Sequence, residues 1–326
     1  MIVRDKIWGE FDIKEDVLLE LMRSKEMKRL KRIAQYGLQF EMYPLSGFSR
    51  YEHSVGVMLL LRKLGANIEE QSAGLLHDVS HTAFSHIVDW VIGNRKDENY
   101  QDERHEEVIR GSGIPAVLAK YNMNLERIIN LDNYPLLERE APDLCADRVD
   151  YAIREFYYWA SPYIVDACTE SLINHNCRIL FNSRDSAMLF GENYLLLQRE
   201  HWGGAEWMLR WQIFSDLLKY GIKERIISEK DFAGNDKHVL GKMRKSENIN
   251  IKNGLDKLSG KLKFDVLDEN NEEYDFHLKK KFRYVDPEYF QSGKVHQLSE
   301  ESEKFRELLE RERSHNLNGI KIKLLA

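Results

Sequence analysis

Apolar residues recur every three to four positions through the first two thirds of the chain, the spacing of helices that each bury one face. In 24–37, Met27, Leu30 and Ile33 form such a stripe, with Ser24 placed to cap its start and Gly37 to stop it. The segment 49–65 opens on Ser49 with Glu52 three residues on, the pattern of a reciprocal capping box, and ends at Gly65. Asn67 and Glu70 repeat that logic for 67–78. Shorter helices are predicted over 81–92, 103–110, 115–121 and 124–130. A strong one is predicted over 142–160, where Cys145, Val149, Ala152 and Phe156 make the apolar face. Asp147, Tyr151, Arg154 and Glu155 then share the other face. Helix continues over 164–175, 184–199 and 203–219.

After about residue 225 the texture changes. Residues 237–264 are lysine-rich and weakly periodic, which predicts a loop with a short helix. In 261–268, 274–287 and 319–326, β-branched or aromatic residues alternate with charge and predict strands, with a helix over 299–313. The fold class expected is therefore mostly α: a helical core over 1–220 and a small α+β C-terminal region over 221–326. No internal repeat is visible.

A length of 326 residues suits a main domain with a full core plus a smaller part. The 43% hydrophobic and 31% charged content is that of a soluble globular protein. No apolar run reaches the roughly 18 residues of a spanning helix, and MIVRDKIWGEFDI lacks the layout of a secretory signal, so a cytoplasmic protein with no membrane partner is expected. Three cysteines without a CxxC pair fit a reducing compartment and argue against a thiolate metal site. Any metal would sit on histidine and carboxylate. A net charge of -6 gives no general affinity for nucleic acid, and the lysines of 242–252 and 279–281 read as solvated surface.

The stretch LLHDVSHTAFSH (75–86) crowds His77, Asp78, His81 and His86 behind an apolar lead-in. An HD dipeptide alone is a weak signal, and a single histidine on an apolar helix is usually a hydrogen-bonded core residue. Together, His53, His77, Asp78 and Asp147 place two imidazoles and two carboxylates on three predicted helices, a mixed donor set that suits Fe, Mn, Zn or Ni. Such an ion lowers the pKa of a bound water toward neutrality and so supplies hydroxide for attack on phosphorus or carbonyl. His81, His86 and His105 are too many for one ion and suit acid catalysis or phosphate contact.

In order and surroundings, the pattern H…HD…D resembles that of the HD-domain metal-dependent phosphohydrolases. RYEHSVGV, HDVSHTAFSH and ADRVDYAIRE resemble the motifs of the HD-type deoxynucleoside triphosphate triphosphohydrolases over roughly residues 20–160, and KKKFRYVDPEYF resembles a later family segment. There is no sterile-alpha-motif domain. The resemblance implies an HD-type helical core in which His53, His77, Asp78 and Asp147 are metal ligands. It makes His81 the proton donor to the leaving oxygen, supported by His105 and Asp89, with Glu106 orienting His105. Gln35, Arg50, Arg148, Tyr151 and Glu155 would line the substrate pocket, the two arginines on phosphates and Tyr151 near the sugar. His86 would be a supporting residue, and His201 and Trp202 further sugar-side candidates. The implied reaction is hydrolysis of a (deoxy)nucleoside triphosphate to nucleoside and inorganic triphosphate by hydroxide attack on the α-phosphorus, with Mg²⁺ a further ion that substrate phosphates can carry. Homo-oligomers are common in the family.

This chain departs from the family's HDLGHGPFSH at Ser80, Thr82 and Ala83, and carries Glu155 where an aspartate often meets the sugar 3′ hydroxyl. An acidic ED pair after the HD, typical of alarmone hydrolases, is absent, as is the GYP signature of the cyclic-dinucleotide branch. The alternatives that stay open are another phosphate ester, such as a nucleoside monophosphate, and a non-enzymatic nucleotide sensor.

Overall fold

Polar side chains at helix starts fix most helices where the hydrophobic pattern puts them. In the computed structural model, which describes residues 1–43 and 47–325, Ser24 Oγ accepts the Met27 N–H, Ser49 and Glu52 form the full capping box, and Asn67 Oδ1 accepts the Glu70 N–H. An N-terminal hairpin, β1 (Ile2–Asp5) and β2 (Gly9–Asp12), precedes α1 (Asp16–Arg23), α2 (Lys25–Leu30), α3 (Arg50–Lys63) and α4 (Ile68–Leu76). Then come α5 (Ile87–Val91), α6 (Tyr100–Arg110), α7 (Ile114–Lys120), α8 (Leu125–Ile129), α9 (Ala146–Trp159) and α10 (Pro162–Ser171). The hairpin β3 (Leu172–His175) and β4 (Arg178–Phe181) leads to α11 (Arg184–Leu197), a π turn over Gln198–Trp202, α12 (Ala205–Lys223), α13 (Asp236–Lys245) and α14 (Ile249–Ser259). The chain ends with β5 (Phe264–Leu267), β6 (Phe276–Leu278), β7 (Glu288–Gln291), β8 (Lys294–Gln297), α15 (Leu298–Glu301), α16 (Glu303–Asn318) and β9 (Ile320–Leu324). The molecule is mostly helical with small sheets, as the pattern predicts.

Residues on the two sides of the expected 220/221 boundary share a sheet and two apolar cores. One sheet runs β3-β4-β7-β8, and Phe181 of β4 pairs in parallel with Tyr289 of β7. Leu60, Leu75, Phe156 and Phe190 share one apolar core with Phe305 of α16, while Phe84 and Phe214 share another with Leu240, Ile251 and Ile322. Each fully buried side chain of this size contributes roughly 1.5–3 kcal/mol relative to an exposed one. That apolar mass offsets the cost of burying the charged groups described below.

Where the elements differ from the predicted ones, tertiary contacts are the cause. Helix α2 stops at Leu30, well short of Gly37, because Ala34 bridges Ser49 and gives its N–H to Asp236. Gly37, at φ +76°, lies against the Phe84 carbonyl, where a Cβ would come within 2.4 Å of the oxygen. The helix predicted over 81–92 is reduced to α5. Ala83 and Phe84 donate their N–H groups to Phe232 and Asp236, and Phe84 and Ser85 take positive φ of 66° and 50°. The lysine-rich segment forms two helices, α13 and α14, whose Val239, Leu240, Met243, Ile251, Leu255 and Leu258 are buried against the core. Of 274–287 only β6 is strand. The helix of 299–313 breaks at Ser302, and Ala326 lies outside the described residues. The pairs β1-β2, β3-β4 and β7-β8, four residues a strand, lie outside the predicted strands, and β3 takes the last four residues of the helix predicted over 164–175.

Candidate metal centre and its cavity

Three helices meet at the site. His53 lies in the first turn of α3, His77 caps the C-terminal end of α4, and Asp147 lies in the first turn of α9. Close approach of α9 to α3 depends on Gly56, where a Cβ would stand 1.8 Å from Arg154 Nη2 and 2.2 Å from Asp150 Oδ1. His53 Nε2 is 2.9 Å from Asp147 Oδ1 and 3.3 Å from His77 Nε2, which is itself 3.4 Å from Asp147 Oδ1. Asp78 adds Oδ2 at 3.7 Å from His53 Nε2 and Oδ1 at 3.5 Å from His77 Nε2.

Both imidazoles are held in one tautomer. His53 Nδ1 is bonded to Asp150 Oδ2 at 2.8 Å, and His77 Nδ1 donates to the Gly74 carbonyl at 2.7 Å. Each therefore turns the lone pair of its Nε2 toward the same point, the orientation that second partners impose on metal-binding histidines. Two such nitrogens 3.3 Å apart, beside two carboxylates, suit a cation between them. The spacings match neighbouring ligands around one ion, which for bonds near 2.1 Å stand about 3 Å apart. The residues fit a divalent metal held by His53, His77 and Asp147, with Asp78 alongside. Burial pulls the His77 imidazole down, but the Asp78 and Asp147 carboxylates overcome it and raise it to about 10. Burial opposes the charge on Asp78, yet Arg50 and then His77 hold it well below the usual carboxylate range.

Around this centre opens a cavity of about 470 Å³. His77, Asp78 and Asp147 line one side; Arg50, Arg148, Gln35, Tyr151 and Glu155 line it as well. Arg50 is committed to the site itself: its Nη1 donates to Asp78 Oδ2 at 2.8 Å and its Nε to Ser85 Oγ at 3.0 Å. Arg148 donates to the carbonyls of Asp143 and Arg139, which position its guanidinium without neutralising it. Gln35 has a buried Oε1 without a partner, and Tyr151 meets Tyr194 hydroxyl to hydroxyl. Burial raises Glu155 to about 8, and both its oxygens accept the Trp202 Nε1–H, at 2.7 and 2.8 Å.

His81 stands over the centre, Nε2 to Asp78 Oδ1 at 3.2 Å, and burial followed by the Arg50 charge pushes it down to about 4. His86 meets it edge-on with ring centroids 5.0 Å apart. Asp89 does not contact His81. It accepts from Tyr100 N–H, faces His86 Nδ1 at 3.3 Å, and is raised by burial to about 7. His105 is buried on α6 outside the cavity lining, and neither ring nitrogen has a partner among the described residues. Glu106 does not orient it, since that carboxylate pairs with Arg110 at 2.7 Å on the surface. His201 is buried behind the cavity, stacked on Tyr43 and 3.6 Å from Glu155.

Two groups of site residues escape sequence reasoning. Asp150, three residues after Asp147, is fully buried and also bonds Trp8 Nε1 and Arg154 Nε. The helical spacing in DRVD carries that signal. Lys280, Arg283, Trp207 and Trp211 also line the cavity, and a lysine run far along the chain carries none.

The HD domain model matches residues 50–151, the span from the start of α3 to the middle of α9. The chain belongs to the HD-domain family of metal-dependent phosphohydrolases. Along its whole length it is similar to the uncharacterized protein YdhJ of Bacillus subtilis, 37% identical over 328 residues, covering 100% of this chain and 99% of that one. It is also 37% identical over 155 residues to the metal-dependent phosphohydrolase cns2 of Cordyceps militaris, a match covering 48% of this chain and 45% of that protein. A hypothetical protein from Aquifex aeolicus has the same fold, with a TM-score of 0.69 at 20% identity over 96% of this chain and 99% of that one. No helix among the described residues is long and apolar enough to cross a membrane.

Proposed function

We propose that the chain hydrolyses a nucleotide, most specifically a (deoxy)nucleoside triphosphate, to nucleoside and inorganic triphosphate by attack at the α-phosphorus. One observation carries the reading: a single cavity, of a size that takes a small organic ligand, joins the His53–His77–Asp147 cluster to a cationic and aromatic lining. The divalent ion, when bound, supplies Lewis acidity and activates the nucleophile at the scissile phosphorus. His81, buried beside Asp78, is placed to pass a proton to the departing oxygen once substrate phosphates offset the burial and the Arg50 charge that hold the imidazole down. Arg148, whose partners are carbonyl oxygens and the Cys145 thiol rather than a carboxylate, keeps its charge for phosphate oxygens. Tyr151, one turn beyond Asp147, walls the cavity on the sugar side, with Glu155 and Trp202 beyond it. Asp89 acts by way of His86 rather than on substrate, and His105 lies outside the cavity lining. Cys145, Cys168 and Cys177 are all free, which supports the cytoplasm as the compartment.

A second reading, a nucleoside monophosphate or similar ester, is favoured by the acids Asp102, Asp132 and Glu138 in the same lining and by the commitment of Arg50 to Asp78. Both weigh against a long anionic substrate. The test is turnover of metal-analysed protein with Mn²⁺ or Mg²⁺ on the common nucleoside triphosphates and monophosphates, with separated products. Intact triphosphate released by the wild type and lost in His77→Ala is the expected result. Orthophosphate from monophosphates alone would replace it with the second reading, and silence on both would leave a binding module.

A further inference from the structure

Part of the cavity wall is built by a strap from the C-terminal region. Residues 279–287 leave β6 without regular structure and are pinned along their length: the Lys280 carbonyl accepts from Asn316 Nδ2 at 3.0 Å, the Arg283 N–H donates to Gln198 Oε1 at 3.2 Å, and the Asp286 N–H donates to the Pro142 carbonyl at 3.1 Å. The strap is thus fixed before any ligand arrives, and it carries Lys280, Lys281 and Arg283 into the cavity lining, the Lys281 ammonium already donating to the Asp97 carbonyl at 3.2 Å.

Lys280 sets its ammonium 3.6 Å from the ring centre of Trp207 and 3.8 Å from that of Trp211. The aromatic faces strengthen its hold on that position, but among the described residues no oxygen accepts from it. Arg283 spends Nη2 on Glu98 Oε2 at 2.7 Å, while its Nη1 is buried without a partner among the described residues. Trp207 Nε1 is a second buried donor with none among them. Glu98, one of whose oxygens is taken by Arg283, faces this group together with Glu155 and Asp89. Buried donors left unpaired cost free energy that an incoming acceptor recovers. Two such donors in the wall of a ligand cavity, beside a lysine that has no acceptor among the described residues and whose charge burial disfavours until a negative partner arrives, ask for an anion. The rings of Trp207 and Trp211 do not offer a free platform for a base, since Lys280 already covers both. His86, adjacent to His81 across 5.0 Å, connects this side to the metal side.

We propose that Lys280 and Arg283 form an anion subsite that binds the terminal phosphates of the substrate, so that the chain selects a nucleoside polyphosphate over a monophosphate. This rests on the nucleotide-hydrolase reading above for the word substrate, although the subsite itself does not depend on catalysis. Arg283 offers its remaining Nη1 donor and Lys280 a point charge, both of which a phosphate chain can meet with separate oxygens.

The test is calorimetric titration of inorganic triphosphate and of orthophosphate into metal-loaded full-length protein, wild type and Lys280→Met. The expected result is that the ratio of triphosphate to orthophosphate affinity falls at least tenfold in the variant, and that the KM for nucleoside triphosphate rises more than kcat falls. An unchanged ratio overturns the proposal. Should Lys280→Met not fold, amine labelling of the wild type read by mass spectrometry replaces it: inorganic triphosphate protects Lys280 if the subsite is real, and equal labelling with and without it overturns the proposal. If Lys280-dependent triphosphate binding is found while no nucleotide is hydrolysed, the proposed function fails and the subsite stands. If nucleoside triphosphates are hydrolysed with the ratio unchanged, the reverse holds.

Discussion

The two sides of the cavity solve opposite problems with buried polar groups. On the metal side each imidazole nitrogen facing away from the centre has a partner, Asp150 for His53 and the Gly74 carbonyl for His77, so the inner nitrogens are aimed before an ion arrives. On the strap side Lys280, Arg283 Nη1 and Trp207 Nε1 stand without acceptors among the described residues. A satisfied shell holds one small ion in one geometry, whereas an unsatisfied one gains only when a ligand brings its own oxygens. The contrast teaches that the machinery for reaction and the machinery for choosing a substrate are built from different parts of the chain.

The strongest challenge to that contrast is removal of a metal-side imidazole. His77→Ala is expected to lose bound metal and turnover together, measured by metal analysis and product release. Turnover without bound metal would end the claim that this side exists for an ion. His81→Ala sharpens the contrast within the same side, since turnover should fall by about 10²–10⁴-fold while metal content stays near normal. Equal loss of both would make His81 a ligand. Asp150→Asn tests the aiming of His53: metal affinity should drop by roughly 10–100-fold, read by competition with a chelator, and the buried Arg154 left with a weaker partner should lower Tm as well.

A smaller effect concerns Glu155, which burial raises from its ordinary 4.5 to about 8. Its folded value lies above its unfolded one, so folding takes up a proton between them. The stabilisation is complete below pH 4.5 and is lost as pH rises through about 8. Tm should therefore fall across that window, and Glu155→Gln, which keeps an oxygen for the Trp202 N–H, should flatten the fall. A variant curve parallel to wild type would reject that account. Smallest of all, Glu106→Ala should leave turnover and Tm within error, because its carboxylate lies on the surface with Arg110 and makes no contact with His105.

How far the sequence reached can be judged from particular residues. His53, His77, Asp78 and Asp147 could be named because local rules place them: capping at Ser49 and Asn67 sets the phase of α3 and α4, and the HD pair ends the second helix. Asp150 was within reach of the same helical arithmetic and was overlooked beside Asp147. Glu106 was misassigned because adjacency in sequence says nothing of direction on a helix, where His105 turns inward and Glu106 outward. The loop 81–86 reads as helix from its apolar spacing, and only the buried Asp236, drawing on the Phe84 and Ala34 N–H groups from a distant helix, forces the positive φ at Phe84 and Ser85.

By itself, then, the sequence determined most helices of the first two thirds, their caps and the donor types at the candidate metal centre, since these follow from interactions within a few residues of one another. Tertiary structure alone decided what completes the cavity wall. The run Lys279–Lys281 has the composition of a solvated surface, and Lys280 enters the cavity only because β6 pairs with β9 and Asn316 and Gln198 anchor the strap that follows. Burial of a cation over two tryptophans depends on contacts 70 residues away, which no local spacing encodes.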